Sequence, residues 1–489
     1  MKNKFYITTA IDYVNAEPHI GHVYEKIIAD VLARWHRLKK EDVFFLTGTD
    51  DNASKNEEAA KTAGVPVPQF VDKNAKKFIE LCFKLEISND YFIRTTQDKH
   101  IKVAKDIFEK VYKKGDIYKG FYEGLYCRGC EAFYTEKELL DGKCPEHRTA
   151  LEYLKEETYF FKLSNYKNKV LNLIEQKDLI YPKQWRNEIV SRLKKEEIKD
   201  LSITRINKNW GIKAPIDNKH TIYVWFDALI NYYSATRLKG KEKYWPADIH
   251  VIGKGINFFH SVFWPAILFS ADIEQPKKIL VHGYLTVDGK KIGKSLGNVI
   301  DPFALIGKYG VDPLRYFLVR EIPFGEDGDF NEKALISRIN NELANELGNL
   351  VSRSVSLVEK NFKGKINKSN VDEDLSKKLD LSKISSLFDK CEITEALNEI
   401  FRFISECNKY VNNKAPWGIK DKKYQEEVLY NMLESIRIIS ILISPYMPST
   451  SNKINKIIGV KQGFINDIIF GKQKKYTIKK SDILFTKIK

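Results

Sequence analysis

Residues 5–47 read FYITTAIDYVNAEPHIGHVYEKIIADVLARWHRLKKEDVFFLT, and their patterning decides the fold. Phe5 to Thr9 is a short β-prone run, and Asp12 to Pro18 reads as a loop. Val23, Ile27, Ile28, Val31, Leu32, Trp35 and Leu38 then recur at helical spacing. Asp42 to Thr47 is a second buried-strand pattern, which Gly48 is expected to end. Strand, helix and strand in alternation predict a doubly wound α/β domain, a parallel sheet with helices on its faces. Ligands in such sheets sit beyond the carboxyl ends of the strands. The loop before His19 and a loop holding Asp50 should both lie there.

Outward from this stretch the texture changes twice. From about Gly115 to Pro182 the chain is rich in aromatics with clustered Cys and His, and strand-like patterning returns through Thr221 to Trp225, Ile249 to Ile252 and Ile279 to Val281. The middle segment therefore reads as an insertion that splits one sheet domain. After about Asn331 the pattern is helical, and between Gly364 and Gly459 the one glycine is Gly418, which suits a helix bundle. In the tail after Gly471, Ile483-Leu484-Phe485 could dock onto the bundle. The expected division is 1–115 and 186–280 for the two halves of the sheet domain, 116–185 for the insertion, 281–335 for a connecting region and 336–489 for the bundle.

At roughly 100–200 residues per domain, 489 residues give about three domains. Charged residues make up 30% and hydrophobic residues 43%, a globular rather than disordered composition. No apolar run approaches the roughly 18 residues of a membrane span, and the N-terminus enters a strand pattern directly, so a soluble cytosolic protein is expected. Lys and Arg number 81 against 65 Asp and Glu, a net +16. Such an excess suits a polyanionic partner, although a Lys-rich genome would produce it equally well.

The chemistry-bearing clusters are few. Cys127-x-x-Cys130 and Cys144-x-x-His147 have the spacing of a zinc knuckle, in which two close pairs supply four ligands to a tetrahedral ion. The four leave no spare ligand, so the site reads as closed and structural. His19-Ile20-Gly21-His22 lies at a helix start, where two rings one turn apart and free backbone N–H groups can meet phosphate oxygens and Gly21 allows close approach. Lys290-Lys291-Ile292-Gly293-Lys294-Ser295 is a basic loop after a strand ending near Leu285, expected to be mobile and able to follow charge on a leaving pyrophosphate. It lacks the spacing of a Walker loop.

HIGH after the first strand together with the Lys-Ile-Gly-Lys-Ser run resembles the class I aminoacyl-tRNA synthetases. The stretches TTAIDYVNAEPHIGH, FLTGTD, YVWFDALINY, HVIGKGINFFHSVFWP, LVHGYL, KIGKSLGNVIDP, ELGNLVSR and NKAPW, in this order, narrow the resemblance to the methionyl-tRNA synthetases. The resemblance implies a Rossmann-like, HUP-type catalytic domain split by a zinc-binding insertion and followed by an all-α anticodon-binding bundle. It implies activation of L-methionine by Mg²⁺-ATP and transfer to tRNA(Met), the initiator included, for initiation and elongation. Structural Zn²⁺, no membrane, and a cytoplasmic monomer complete the expectation.

The same resemblance implies roles for single residues. His19, Gly21, His22, Gly253 and Lys294 would hold ATP, with His19, His22, Lys291 and Lys294 acting in catalysis. Asp50 would pair with the α-amino group of methionine, and Ile11, Tyr13, Trp225, Leu229, Tyr232, Ile256 and His260 would enclose its side chain. Asn349, Arg353 and Trp417 would read the anticodon, although Trp417 after Pro416 could instead plug a helix junction. Four positions depart from the family pattern: Asp12, Asn52 in Asp51-Asn52-Ala53, Gly255 and Gly293. The alternatives are a class I enzyme for Leu, Ile or Val, for whose editing insertion residues 116–185 are too few, and a non-catalytic RNA-binding relative, which should have lost His19, His22 or Lys294.

Overall fold

The computed structural model describes residues 3–129, 132–134, 136–206, 208–292, 298–479 and 483–488. Strand β1 (Lys4–Thr9) leads through the two-residue β2 (Asp12–Tyr13) into helix α1 (Ile20–Leu38), then β3 (Asp42–Asp50). Helices α2 (Ser54–Thr62) and α3 (Val67–Lys84), strand β4 (Tyr91–Arg94) and helix α4 (Asp98–Lys113) follow. Gly48 does not end β3. The strand runs on to Asp50 because β4 pairs alongside it in parallel, so closely that a Cβ on Gly48 would fall 2.1 Å from the Ile93 carbonyl oxygen.

The insertion is a long antiparallel ribbon of β5 (Ile117–Cys127), β6 (Ala132–Tyr134) and β7 (Glu152–Phe161). Its limits differ from 116–185. Strand β8 (Ile180–Tyr181), between helices α5 (Lys167–Gln176) and α6 (Lys183–Lys195), pairs in parallel with a strand of the main sheet, whereas β9 (Leu201–Ser202) returns to pair with β7. β10 (Thr204–Ile206) and β11 (His220–Ile222) form a hairpin that leads into helix α7 (Val224–Ser234). Val224 and Trp225 thus open a helix instead of ending a strand.

Strands β12 (Ile249–Gly253) and β13 (Ile279–His282) complete the sheet. Among the described residues its order is β2-β3-β1-β12-β13-β8, with β4 also on β3, and every pairing is parallel. Alternation along the strands supplies both faces. Phe5, Ile7, Phe45, Val251 and Leu280 enter one core with α1, while Tyr6, Phe44, Leu46, Ile252 and Val281 enter the other with α7. The chain leaves β1 toward β3 on one side and β12 lies on the other, so a crevice opens between the carboxyl ends of β1 and β12.

Beyond the sheet, β14 (Leu285–Val287) turns back as β15 (Lys290–Lys291), so Leu285 begins a strand instead of ending one. The rest is mainly helical. Arg315 fastens it to the sheet domain: fully buried, it donates to Asp30 of α1 (2.6 Å) and to the Pro445 and Tyr446 carbonyl oxygens. Leu484 and Phe485 pack on the helical core as expected, but Ile483 is exposed.

Candidate active site

The carboxyl edge of β1, β2, β3 and β12 opens on a cavity of about 790 Å³. His19, His22, Ile11, Tyr13, Asp50, Trp225, Leu229, Tyr232, Gly253, Ile256 and His260 all line it. Residues spread over some 250 positions of sequence therefore meet in one place.

At one end the two histidines cap α1. The Gly21 N–H donates to His19 Nδ1 (3.1 Å), and the His19 N–H donates to His22 Nδ1 (3.0 Å). With both Nδ1 atoms accepting, the ring protons sit on Nε2. Burial, reinforced by the Lys26 ammonium, lowers His22 to about 3, so it is a neutral donor near pH 7. The structure changes the sequence reading in two respects. The His19 and Gly21 amides serve the caps, so these two backbone N–H groups are already engaged. The space above Gly21 belongs to the His19 ring, since an added Cβ would come 3.0 Å from it. Asp12 accepts from the fully buried Lys26 and lies 4.0 Å from His22 Nε2, which accounts for this departure as half of an ion pair.

The opposite end is mainly aromatic. Trp225 stacks on Phe259 (ring centroids 4.2 Å apart) and meets His260 edge-on. A π-helical turn over Phe259–Phe263 places Phe259 and His260 side by side on the cavity, an irregularity common at functional sites. His260 Nδ1 donates to the Ile256 carbonyl oxygen (3.0 Å), so Nε2 accepts from the Tyr232 hydroxyl (2.7 Å). Burial lowers His260 to about 4 and keeps the pair neutral. Asp50, 2% exposed and the last residue of β3, brings a carboxylate to the cavity. It belongs to the strand end itself, and its neighbour Asp51 is committed elsewhere, accepting from Arg94 and Thr96.

Several lining residues escaped the sequence reading. Glu25, one turn beyond His22, holds His282 Nε2 at 3.1 Å, and its buried second oxygen has no hydrogen-bond partner among the described residues. Its i+3 spacing from His22 was the available signal. Tyr284 places its hydroxyl where Gly255 has no side chain, since a Cβ there would fall 2.0 Å from it. Lys55, 5.3 Å from the Tyr13 ring centroid, and Phe259 also line the cavity. Lys294 and Gly293 lie outside the described residues, as does the side chain of Lys291.

The tip of the ribbon reaches the same cavity through Gly129, Tyr134, Glu146 and His147. Cys127, Cys144 and His147 bring their ligand atoms within 4.8 Å of one another. The His147 N–H donates to Cys144 Sγ (3.3 Å), and Gly129 has no Cβ because one would meet the His147 ring at 2.6 Å. Two thiolates and an imidazole at this separation fit a tetrahedral zinc ion. Cys130 lies outside the described residues.

Far along the chain, Arg353 stacks its guanidinium against Trp417 (5.2 Å) and donates to Asn412 Oδ1 (3.0 Å). Trp417 is 56% exposed, so it plugs no helix junction. Asn349 is exposed one turn before Arg353 on helix Asn349–Phe362.

Comparison with known proteins agrees with this geometry. The family description "tRNA synthetases class I (M)" matches residues 5–154 and 147–355, and "Anticodon-binding domain of tRNA ligase" matches 378–485. Fold and site thus define a class I tRNA synthetase. A methionine–tRNA ligase of Caldanaerobacter subterraneus is 44% identical over the whole chain and 79% of its own length, and one of Rickettsia bellii is 44% identical over 94% and 93%. The solved Mycobacterium tuberculosis methionyl-tRNA synthetase in complex with methionyl-adenylate superposes with a TM-score of 0.95 at 38% identity, covering 99% of each chain. Its free state gives 0.88 at 36% identity, covering 100% of this chain and 99% of that one. The chain belongs to the methionine–tRNA ligase family.

Proposed function

We propose that the cavity forms methionyl-adenylate and then delivers methionine to tRNA. Its two unlike ends under one roof carry this reading: histidine rings beside the α1 N-terminus, and an aromatic pocket beside the Asp50 carboxylate. Asp50 holds the methionine ammonium, and Trp225, Phe259, Leu229 and Ile256 surround the thioether, for which polarisable sulfur–aromatic contact is favourable. An uncharged His260–Tyr232 pair suits that side chain. The methionine carboxylate oxygen attacks the α-phosphorus, a new oxygen–phosphorus bond forms, and the bond to the β-phosphate breaks, releasing pyrophosphate. No protein nucleophile is needed, so the residues act by positioning and by charge stabilisation. His19 and His22 donate Nε2–H to phosphate oxygens, and Lys291 and Lys294 supply further charge. Gly253 and the unpartnered buried oxygen of Glu25 face the nucleoside, whose magnesium ion arrives with ATP. The tRNA 3′ hydroxyl then attacks the activated carbonyl and AMP leaves.

Cys127, Cys130, Cys144 and His147 hold a structural zinc ion that fixes the ribbon tip over the cavity. Asn349, Arg353 and Trp417 read the anticodon, because an amide, a guanidinium and an exposed indole suit unstacked bases. The split sheet domain, its ribbon insertion, the connecting region and the helical bundle carry these tasks within a cytoplasmic monomer. Charging of tRNA(Met) with labelled methionine tests the reading: ATP-dependent incorporation supports it, and its absence with zinc present overturns it.

A further inference from the structure

One departure from the family pattern, Asn52, stands at the centre of a buried network that the adenylation chemistry does not itself use. Its side-chain amide donates to Asp227 Oδ2 in α7 (2.8 Å) and to the Thr95 carbonyl oxygen after β4 (3.2 Å). Its backbone N–H donates to Asp50 Oδ1 (3.2 Å). Asp227 is in turn held by His100 of α4, Nε2 to Oδ1 at 2.6 Å, with both side chains 1% exposed. The other His100 nitrogen meets the Ser234 hydroxyl at the end of α7 (2.8 Å). The backbone of the Asp50 segment is pinned independently, since Asn56 donates to the Asp50 and Asp51 carbonyl oxygens and the Trp210 indole donates to that of Asp51.

These contacts join two parts of the cavity that no shared element joins. Asp50 ends β3, while Trp225, Leu229 and Tyr232 stand on α7. We propose that Asn52 is a positioning residue that sets the distance between the ammonium-binding carboxylate and the side-chain pocket on α7, with the buried His100–Asp227 pair as its anchor. The inference rests on the methionine-binding reading of the cavity. An amino acid grips both places at once, so a small shift between them weakens its binding, whereas ATP lies at the His19–His22 end. A residue serving stability alone would lower the unfolding midpoint without separating the two substrates.

Methionine-dependent exchange of pyrophosphate into ATP, read with methionine and ATP varied in turn, tests this on the full chain. Asn52→Ala is expected to raise the methionine KM about tenfold, with the ATP KM moving less than about twofold. Asn52→His, which keeps a donor toward Asp227, is expected to stay within about threefold of the parent. Should the alanine variant fail to fold, Asn52→Leu keeps about the same volume, loses the donor and should show the same selective rise. An unchanged methionine KM, or equal rises for both substrates, would overturn the positioning role alone. A parent protein without methionine-dependent exchange would overturn that role together with the reading beneath it.

Discussion

Trp225 and Trp417 both offer an aromatic face, yet their surroundings are opposite. Trp225 is clamped between Phe259 and His260, and the hydrogen bonds of that histidine to Tyr232 and Ile256 are already made. Trp417 lies open beside Arg353, which is itself held by Asn412. A small flexible substrate gains most from a rigid enclosure, because the ordering cost falls on the ligand alone. An unstacked base needs an accessible plate and a nearby donor, and a closed pocket would exclude it. On the proposed reading, the contrast separates a pre-formed chemical site from a surface for a large polyanion. It also limits how much of the +16 charge specificity requires, since scattered lysines mainly set affinity and salt dependence.

Removing the charge from the enclosed site should break the contrast most sharply. Asp50→Asn is expected to lower methionine kcat/KM in pyrophosphate exchange by about 10²–10³-fold, the usual range for an unpaired partner of a desolvated charge. Arg315, where the two regions are fastened, comes next. Arg315→Met leaves Asp30 with Arg34 but strips donors from three backbone carbonyl oxygens, at Leu85, Pro445 and Tyr446, and should cost about 3 kcal/mol by urea unfolding. A loss under 1 kcal/mol would show the layers to be joined elsewhere.

Trp417→Ala tests the open face. Charging of tRNA is expected to fall about 10–100-fold with the loss of one stacked base, while pyrophosphate exchange without tRNA proceeds as before. Equal losses in both assays would contradict the division of labour.

The smaller effects concern pH. Burial alone would raise the Asp30 carboxyl, but Arg34 and Arg315 outweigh it and hold it down at about 2. A carboxyl depressed on folding contributes stability that is present above its unfolded value near 4 and is lost as pH falls toward 2. Acid unfolding should therefore lose about 2 kcal/mol over that window, and Arg315→Met should diminish the loss. Because His260 stays neutral down to about 4, the methionine KM should be flat between pH 6 and 8.

Much of this was legible in the sequence where local pattern and spacing carry the information. Helix α1 shows its apolar stripe directly, and the β1–α1–β3 alternation implies the sheet and its binding edge. The features that were not legible depend on distant partners. Gly48 looks like a stop until β4 is seen pairing beside it, and the two residues of β8 are too few for any period. Phe259 escaped because a π-helical turn breaks the 3.6-residue spacing by which helical neighbours are inferred. Asp12, Asn52 and Gly255 looked like departures in isolation, and each finds its reason across space, in Lys26, Asp227 and Tyr284.

The contrast between enclosed and open aromatic sites rests on the cavity selecting methionine. Pyrophosphate exchange measured with each of the twenty amino acids tests this most directly. Methionine should support exchange at least about 100-fold more efficiently than leucine, isoleucine or valine. Comparable exchange with any of those three, or none with methionine, would contradict it.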